Sequence, residues 1–135
     1  MEPTIENWAA ADRWLSDVLI GRDPVLEEGL AAQRAAGLPP IEVAPVAGKL
    51  LHLLTRIAGA RRVLEIGTLG GYSTTWLAKA LPEGGTVVTI EAEPANAEVA
   101  RANLERAGVA ARVDIRIGRA AEVLPTLDGP FDLVF

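Results

Sequence analysis

The stretch Val63-Leu64-Glu65-Ile66-Gly67-Thr68-Leu69-Gly70-Gly71-Tyr72-Ser73 constrains the fold of this chain more than any other. A short apolar run that ends in glycines and opens into a helical pattern is how a buried parallel strand passes into its crossover helix. Glycine lets the backbone turn sharply and come close to a ligand. The helix that follows presents unpaired N–H groups at its start. In an open parallel sheet such a turn lies at the carboxyl end of a strand, where ligands bind.

The rest of the chain repeats the alternation. Ser73, Trp76, Leu77, Ala80 and Leu81 have helical spacing, Gly84-Gly85 interrupts, and Thr86 to Ile90 forms a second apolar strand. Pro94 suits the first turn of a helix that places Ala97, Ala100, Leu104 and Ala107 on one face before Gly108. Arg112 to Ile117 alternates as a third strand, Ala120 to Leu124 forms a short helix, and Phe131 to Phe135 begins a fourth strand. Strand and helix in strict alternation specify an α/β fold, a Rossmann-like doubly wound parallel sheet with right-handed crossovers. The chain stops inside the apolar fourth strand, so the sheet is expected to be incomplete there, or to rely on a partner chain.

Residues 1–60 read as a helical segment attached to that core, which occupies residues 61–135. Trp8 to Leu19 is one helix, Asp23-Pro24 starts a second running to about Ala36, and Gly37-Leu38-Pro39-Pro40-Ile41 breaks it. From Val46, the recurrence of Leu50, Leu53, Leu54 and Ile57 predicts one buried helical face, with Gly59 closing it. Half of the 135 residues are hydrophobic and the net charge is -5, which leaves no basic footprint for nucleic acid or an anionic membrane. There is no cysteine, hence no disulfide and no thiolate metal site, and no apolar run nears the roughly 20 residues that cross a bilayer. A cytoplasmic protein is expected.

Glu91 ends the second strand, about 20 residues past the glycine loop, where a carboxylate can accept hydrogen bonds from both hydroxyls of a ribose. The loop is not the dinucleotide fingerprint, which needs glycine at its first, third and sixth positions. Counted from Gly67, glycine stands at the first, fourth and fifth, and Leu69 fills the third. Glu65 adds negative charge where a pyrophosphate would sit, whereas a ligand carrying an ammonium and a sulfonium gains from it. This combination favours S-adenosylmethionine (SAM) over NAD.

Val63 to Thr74, followed by Ala80-Leu81-Pro82-Glu83-Gly84-Gly85, Ala107-Gly108-Val109, Ile117-Gly118-Arg119-Ala120 and Phe131 to Phe135, resembles the cation-dependent O-methyltransferases of the caffeoyl-CoA and catechol type. The resemblance runs from about Ile41 to Phe135. It implies that Glu65 and Gly67 hold the amino group of the methionine moiety of SAM. Ser73 would take its carboxylate, with backbone near Thr68 and Gly71. Glu91 would hold the ribose, Ala120 would lie against the adenine, and Val43 would add a backbone contact to the methionine end. It further implies a small hydroxylated aromatic acceptor such as a catechol, a homodimer, and a divalent cation, magnesium foremost, whose ligands would follow the fourth strand, beyond Phe135.

Two other functions fit the residues alone: a fragment of a nicotinamide-dependent oxidoreductase, and a non-catalytic module that binds SAM or self-associates. His52, in Leu50-Leu51-His52-Leu53-Leu54, has no partner in sequence that would make it a base, and packing in its helix is expected. Asp128 and Asp132 flank a turn and a strand start, as turn and capping residues do.

Overall fold

The computed structural model describes residues 4–135. Three helices come first: α1 (Ile5–Leu19), α2 (Pro24–Ala35) and α3 (Pro45–Ile57). Asp23 caps α2 by accepting from the amides of Val25 and Leu26, and Pro24 fills the first helical position, where its missing N–H costs nothing. Then come β1 (Arg62–Ile66), α4 (Tyr72–Ala80), β2 (Thr86–Glu91), α5 (Pro94–Arg106), β3 (Val113–Ile117), α6 (Ala120–Val123) and β4 (Leu133–Val134). Short 3-10 turns at Ala110–Arg112 and Leu124–Thr126 flank β3 and α6.

The four strands form one parallel sheet in the order β3-β2-β1-β4. The expected doubly wound topology is therefore present, and the direction of winding reverses between β1 and β4. Alternation along the strands sends Val63 and Val87 to the face covered by α4 and α5, where they meet Leu77, Ala78, Leu81 and Leu104. Leu64, Val88 and Ile90 face the other way, toward Ala120, Val123, Leu127 and Phe131. β4 is shorter than Phe131 to Phe135, although Phe135 still donates to the Leu64 carbonyl and accepts from the Ile66 amide, both at 2.8 Å.

One expectation about α3 is overturned. Leu50, Leu53, Leu54 and Ile57 are 55, 44, 44 and 81% exposed, and the buried residues of this helix are Gly48 and Thr55. The face that packs on α4 runs through Gly48, Leu51, His52 and Thr55, at helical offsets of three, four and seven. Gly48 is the reason: a Cβ there would collide with the indole ring of Trp76, so glycine lets α3 approach α4 more closely than any leucine could. His52 follows the same face, with its Nδ1 3.2 Å from the Trp76 carbonyl and its ring edge-on to the indole. Burial and neighbouring cations hold its pKa below the ordinary value. Of the three tryptophans, Trp76 is buried, whereas Trp8 and Trp14 on α1 are exposed. Asp132 accepts from the amides of Arg61 and Arg62, both at 2.8 Å, and so caps the start of β1.

Candidate cofactor site

The turn after β1 is built from both glycine and strain. Gly71, the residue before α4, has φ of +83°, a left-handed conformation that glycine adopts without penalty. Leu69 has φ of +51°, which costs a residue with a Cβ about 1 kcal/mol or more. Its amide donates at 2.7 Å to Oε2 of Glu91, so the end of β2 holds the loop in this shape. The other oxygen of Glu91 accepts from the Glu93 amide at 2.9 Å and from Nδ2 of Asn96 at 3.3 Å. Glu91 is thus fixed in place before any ligand arrives.

Glu65 lies deeper. It shares the α4 face of the sheet with Val63, is fully buried, and is paired in register with Thr89. Its Oε1 accepts from Ser73 at 2.6 Å, and its Oε2 accepts from Thr74 at 2.5 Å and Thr89 at 2.6 Å. Thr68 completes the chain, 2.7 Å from the Thr89 hydroxyl. Burial pushes the Glu65 carboxyl above its ordinary pKa, with the three hydroxyls opposing and the charge of Glu91 assisting. A folded-state pKa above the unfolded one gives stability that is complete below the unfolded value of 4.5 and fades as pH rises through the folded value. The stability difference between wild type and Glu65→Gln is therefore expected to move against wild type from about pH 4 to about pH 8. Urea unfolding across that range measures it, and a difference that moves toward wild type contradicts the assignment.

A cleft of about 430 Å³ opens at the carboxyl ends of β1 and β2, within the size range of small-ligand sites. Of the eight residues singled out from the sequence, Val43, Gly67, Thr68, Ser73 and Glu91 line it. Glu65 stands behind the wall, reached through Ser73, the one of its three hydroxyl donors that faces the cleft. Gly71 sits beneath the loop against Ala100 and Leu104. Ala120, at the start of α6, packs near Leu64, Val88 and Ile90 and does not line the cleft. The remaining wall includes Gln33, Pro39, Ile41, Glu42 and Asn96, none of which the sequence pattern marked. Among the described residues, two carboxylates line the cleft, and no Lys or Arg does.

Residues 20–135 match the sequence model of the family described as O-methyltransferase. The chain belongs to that family. A catechol O-methyltransferase of Mycobacterium tuberculosis is 57% identical over 125 residues, covering 92% of this chain and 57% of the relative. A catechol O-methyltransferase of Niastella koreensis is 43% identical over 130 residues, covering 93% of this chain and 59% of the relative. Among solved structures, the O-methyltransferase from Bacillus cereus in complex with S-adenosylhomocysteine (SAH) superposes with a TM-score of 0.94 at 51% identity, over 98% of this chain and 62% of that one. An O-methyltransferase of Streptomyces achromogenes involved in tomaymycin synthesis, in complex with SAM, gives 0.91 at 48% identity, over 99% and 62%. This O-methyltransferase-family chain thus spans less than two thirds of the length of each of these relatives.

The residues that pattern reasoning missed were partly within reach. Thr89 is two positions before Glu91 and opposite Glu65 in a parallel register, so period two alone puts all three side chains on one face. Asn96 sits in the first turn of α5, where an amide can reach back to the preceding strand end.

Proposed function

We propose that this chain forms the SAM-binding part of an SAM-dependent O-methyltransferase acting on a small hydroxylated aromatic acceptor such as a catechol. The observation that carries this is the electrostatics of the cleft: among the described residues Glu42 and Glu91 line it with Glu65 behind, no Lys or Arg lines it, and Arg34 pairs with Glu42 from outside it. A dinucleotide would bring a pyrophosphate into that field, whereas an ammonium and a sulfonium are attracted by it. In this reading Glu91 accepts from the ribose hydroxyls, and the backbone of Gly67, Thr68, Gly71 and Val43 surrounds the methionine end. Ser73 turns its hydroxyl from Glu65 toward the carboxylate, Glu65 acts on the amino group across Ser73, and Ala120 borders the adenine. The bound cofactor supplies a sulfonium methyl carbon to an oxygen nucleophile. The chain's own contribution is to hold the donor in a fixed orientation, which for such a displacement is a large share of the catalysis.

The described residues contain no group of three or more His, Cys, Asp or Glu that could hold a metal ion, so no step is assigned to a cation on these residues. No helix among them is long and apolar enough to cross a membrane, and with a cysteine-free sequence we place the protein in the cytoplasm. The homodimer is also a proposal. It is supported by the uncovered apolar side chains of α1 and α3, Trp8, Trp14, Leu50 and Ile57 among them; a monomer mass in sedimentation at micromolar concentration would overturn it.

Calorimetric titration of the chain with SAH and with NADH tests the main reading. Saturable heat with SAH and none with NADH is expected, and the reverse pattern would return the chain to the oxidoreductases.

A further inference from the structure

We propose that Asn103 is a positioning residue for cofactor binding, one that fastens the glycine loop to the N-terminal helix α2. This rests on the reading of that loop as the cofactor's. Asn103 lies in the last turn of α5, where its short amide side chain is a mediocre helix former, and it is 6% exposed. A primary amide has two N–H donors, and both are spent here. Nδ2 donates to the Gly70 carbonyl at 2.9 Å and to the Gly29 carbonyl of α2 at 3.2 Å. Its Oδ1 accepts from Nη1 of Arg106 at 2.5 Å, so the amide has one satisfied orientation: a flip would set Oδ1 against two carbonyl oxygens.

The contact is more than satisfaction of a buried group, because of what surrounds it. Gly29 and Gln33, one turn apart on α2, face Asn103 and Gly70. Gln33 is 1% exposed, and its side chain covers Gly70 so closely that a Cβ there would collide with it. Gln33 also reaches the wall of the cleft. The loop that shapes the cleft therefore rests on α2 from one side and is tied to it through α5 from the other. Gly70 is followed directly by Gly71, Tyr72 and Ser73, so a shift of the Gly70 peptide moves the start of α4 and the Ser73 hydroxyl with it. Glu91 is also held by the Glu93 amide and Asn96, so the ribose end feels this brace only through the bond from the Leu69 amide.

The test uses the whole chain. Asn103→Asp keeps the shape but replaces two donors by an acceptor facing two buried carbonyls, a loss that converts to about a tenfold or greater weakening of SAH binding by calorimetry. Adenosine, which lacks the methionine end, is expected to lose no more than about threefold in an NMR titration. Amide exchange at Gly70, Gly71 and Tyr72 is expected to quicken by about tenfold relative to Val87 to Ile90 in β2. A residue that only stabilised the fold would lower the unfolding midpoint and leave the affinity of the folded protein unchanged. SAH affinity within about twofold of wild type, equal losses for SAH and adenosine, or unaltered loop protection would each overturn the proposal. Should Asn103→Asp fail to fold, Arg106→Met removes the bond that orients the amide, together with a long surface ion pair to Glu28 at 3.7 Å. About a threefold loss of SAH affinity is then expected, and no change refutes the brace. If wild type itself ignores SAH, the cofactor reading falls, while the exchange rates still decide whether Asn103 holds the loop.

Discussion

Replacing Glu91 by alanine is expected to weaken SAH binding by about a hundredfold, the largest effect of any single change in the cleft. Two losses add. The ligand loses a charged acceptor for its ribose hydroxyls, and hydrogen bonds to charged groups contribute about 1.5–3 kcal/mol each. The loop loses its tether as well, because the Leu69 amide donates to Glu91 Oε2 at 2.7 Å and Leu69 is held at a positive φ that its side chain disfavours. Without the carboxylate, the backbone can relax toward an ordinary conformation, and each binding event must then restore the strained one. Glu91→Gln separates the two contributions. Its amide keeps one oxygen for a ribose hydroxyl but turns an NH2 group either to the Leu69 N–H or to the donors at Glu93 and Asn96. An intermediate loss is expected, with the loop amides exchanging faster than in wild type. SAH affinity in Glu91→Ala within about threefold of wild type would sink the ribose assignment.

The backbone plan of this chain was legible because it rests on local signals. An apolar run meeting glycines at Gly67, Pro94 opening a helix, and the alternation of strand and helix each follow from one-dimensional patterns, and the parallel sheet follows from their order. The places of Glu65 and Glu91 at and behind the cleft were legible for the same reason, since both sit at strand ends whose position is set by the fold. What stayed hidden depends on where small residues permit contact. Apolar periodicity picked the leucines of α3 as its buried face, whereas packing was decided by Gly48, which has no hydrophobicity to score. Asn103 and Gln33 were invisible for a related reason: both are polar, and only the approach of three separate segments buries them.

Gly48 carries the second large effect. Gly48→Ala is expected to cost about 2 kcal/mol of stability, although alanine in a helix interior is favoured over glycine by about 1 kcal/mol. The added methyl group would sit within contact distance of three atoms of the Trp76 indole. That ring cannot swing away freely, because it is packed with Leu26 and Tyr72. Either α3 moves outward and opens a gap along α4, or the indole leaves its rotamer; overpacked cores show costs of about 1–3 kcal/mol for such adjustments. Urea unfolding should show a lower midpoint with an unchanged slope. In the background of Trp76→Phe, whose smaller ring leaves room, the same alanine should cost about 1 kcal/mol less, a coupling read directly from the double-mutant cycle. A cost below about 0.5 kcal/mol would show that the close approach of α3 is not what fixes it. The consequence reaches the cleft, because Pro39, Ile41, Glu42 and Val43 line it from the segment that leads straight into α3. A helix displaced by one methyl group carries that wall with it, so Gly48→Ala should also weaken SAH binding, by about threefold, in protein that remains fully folded.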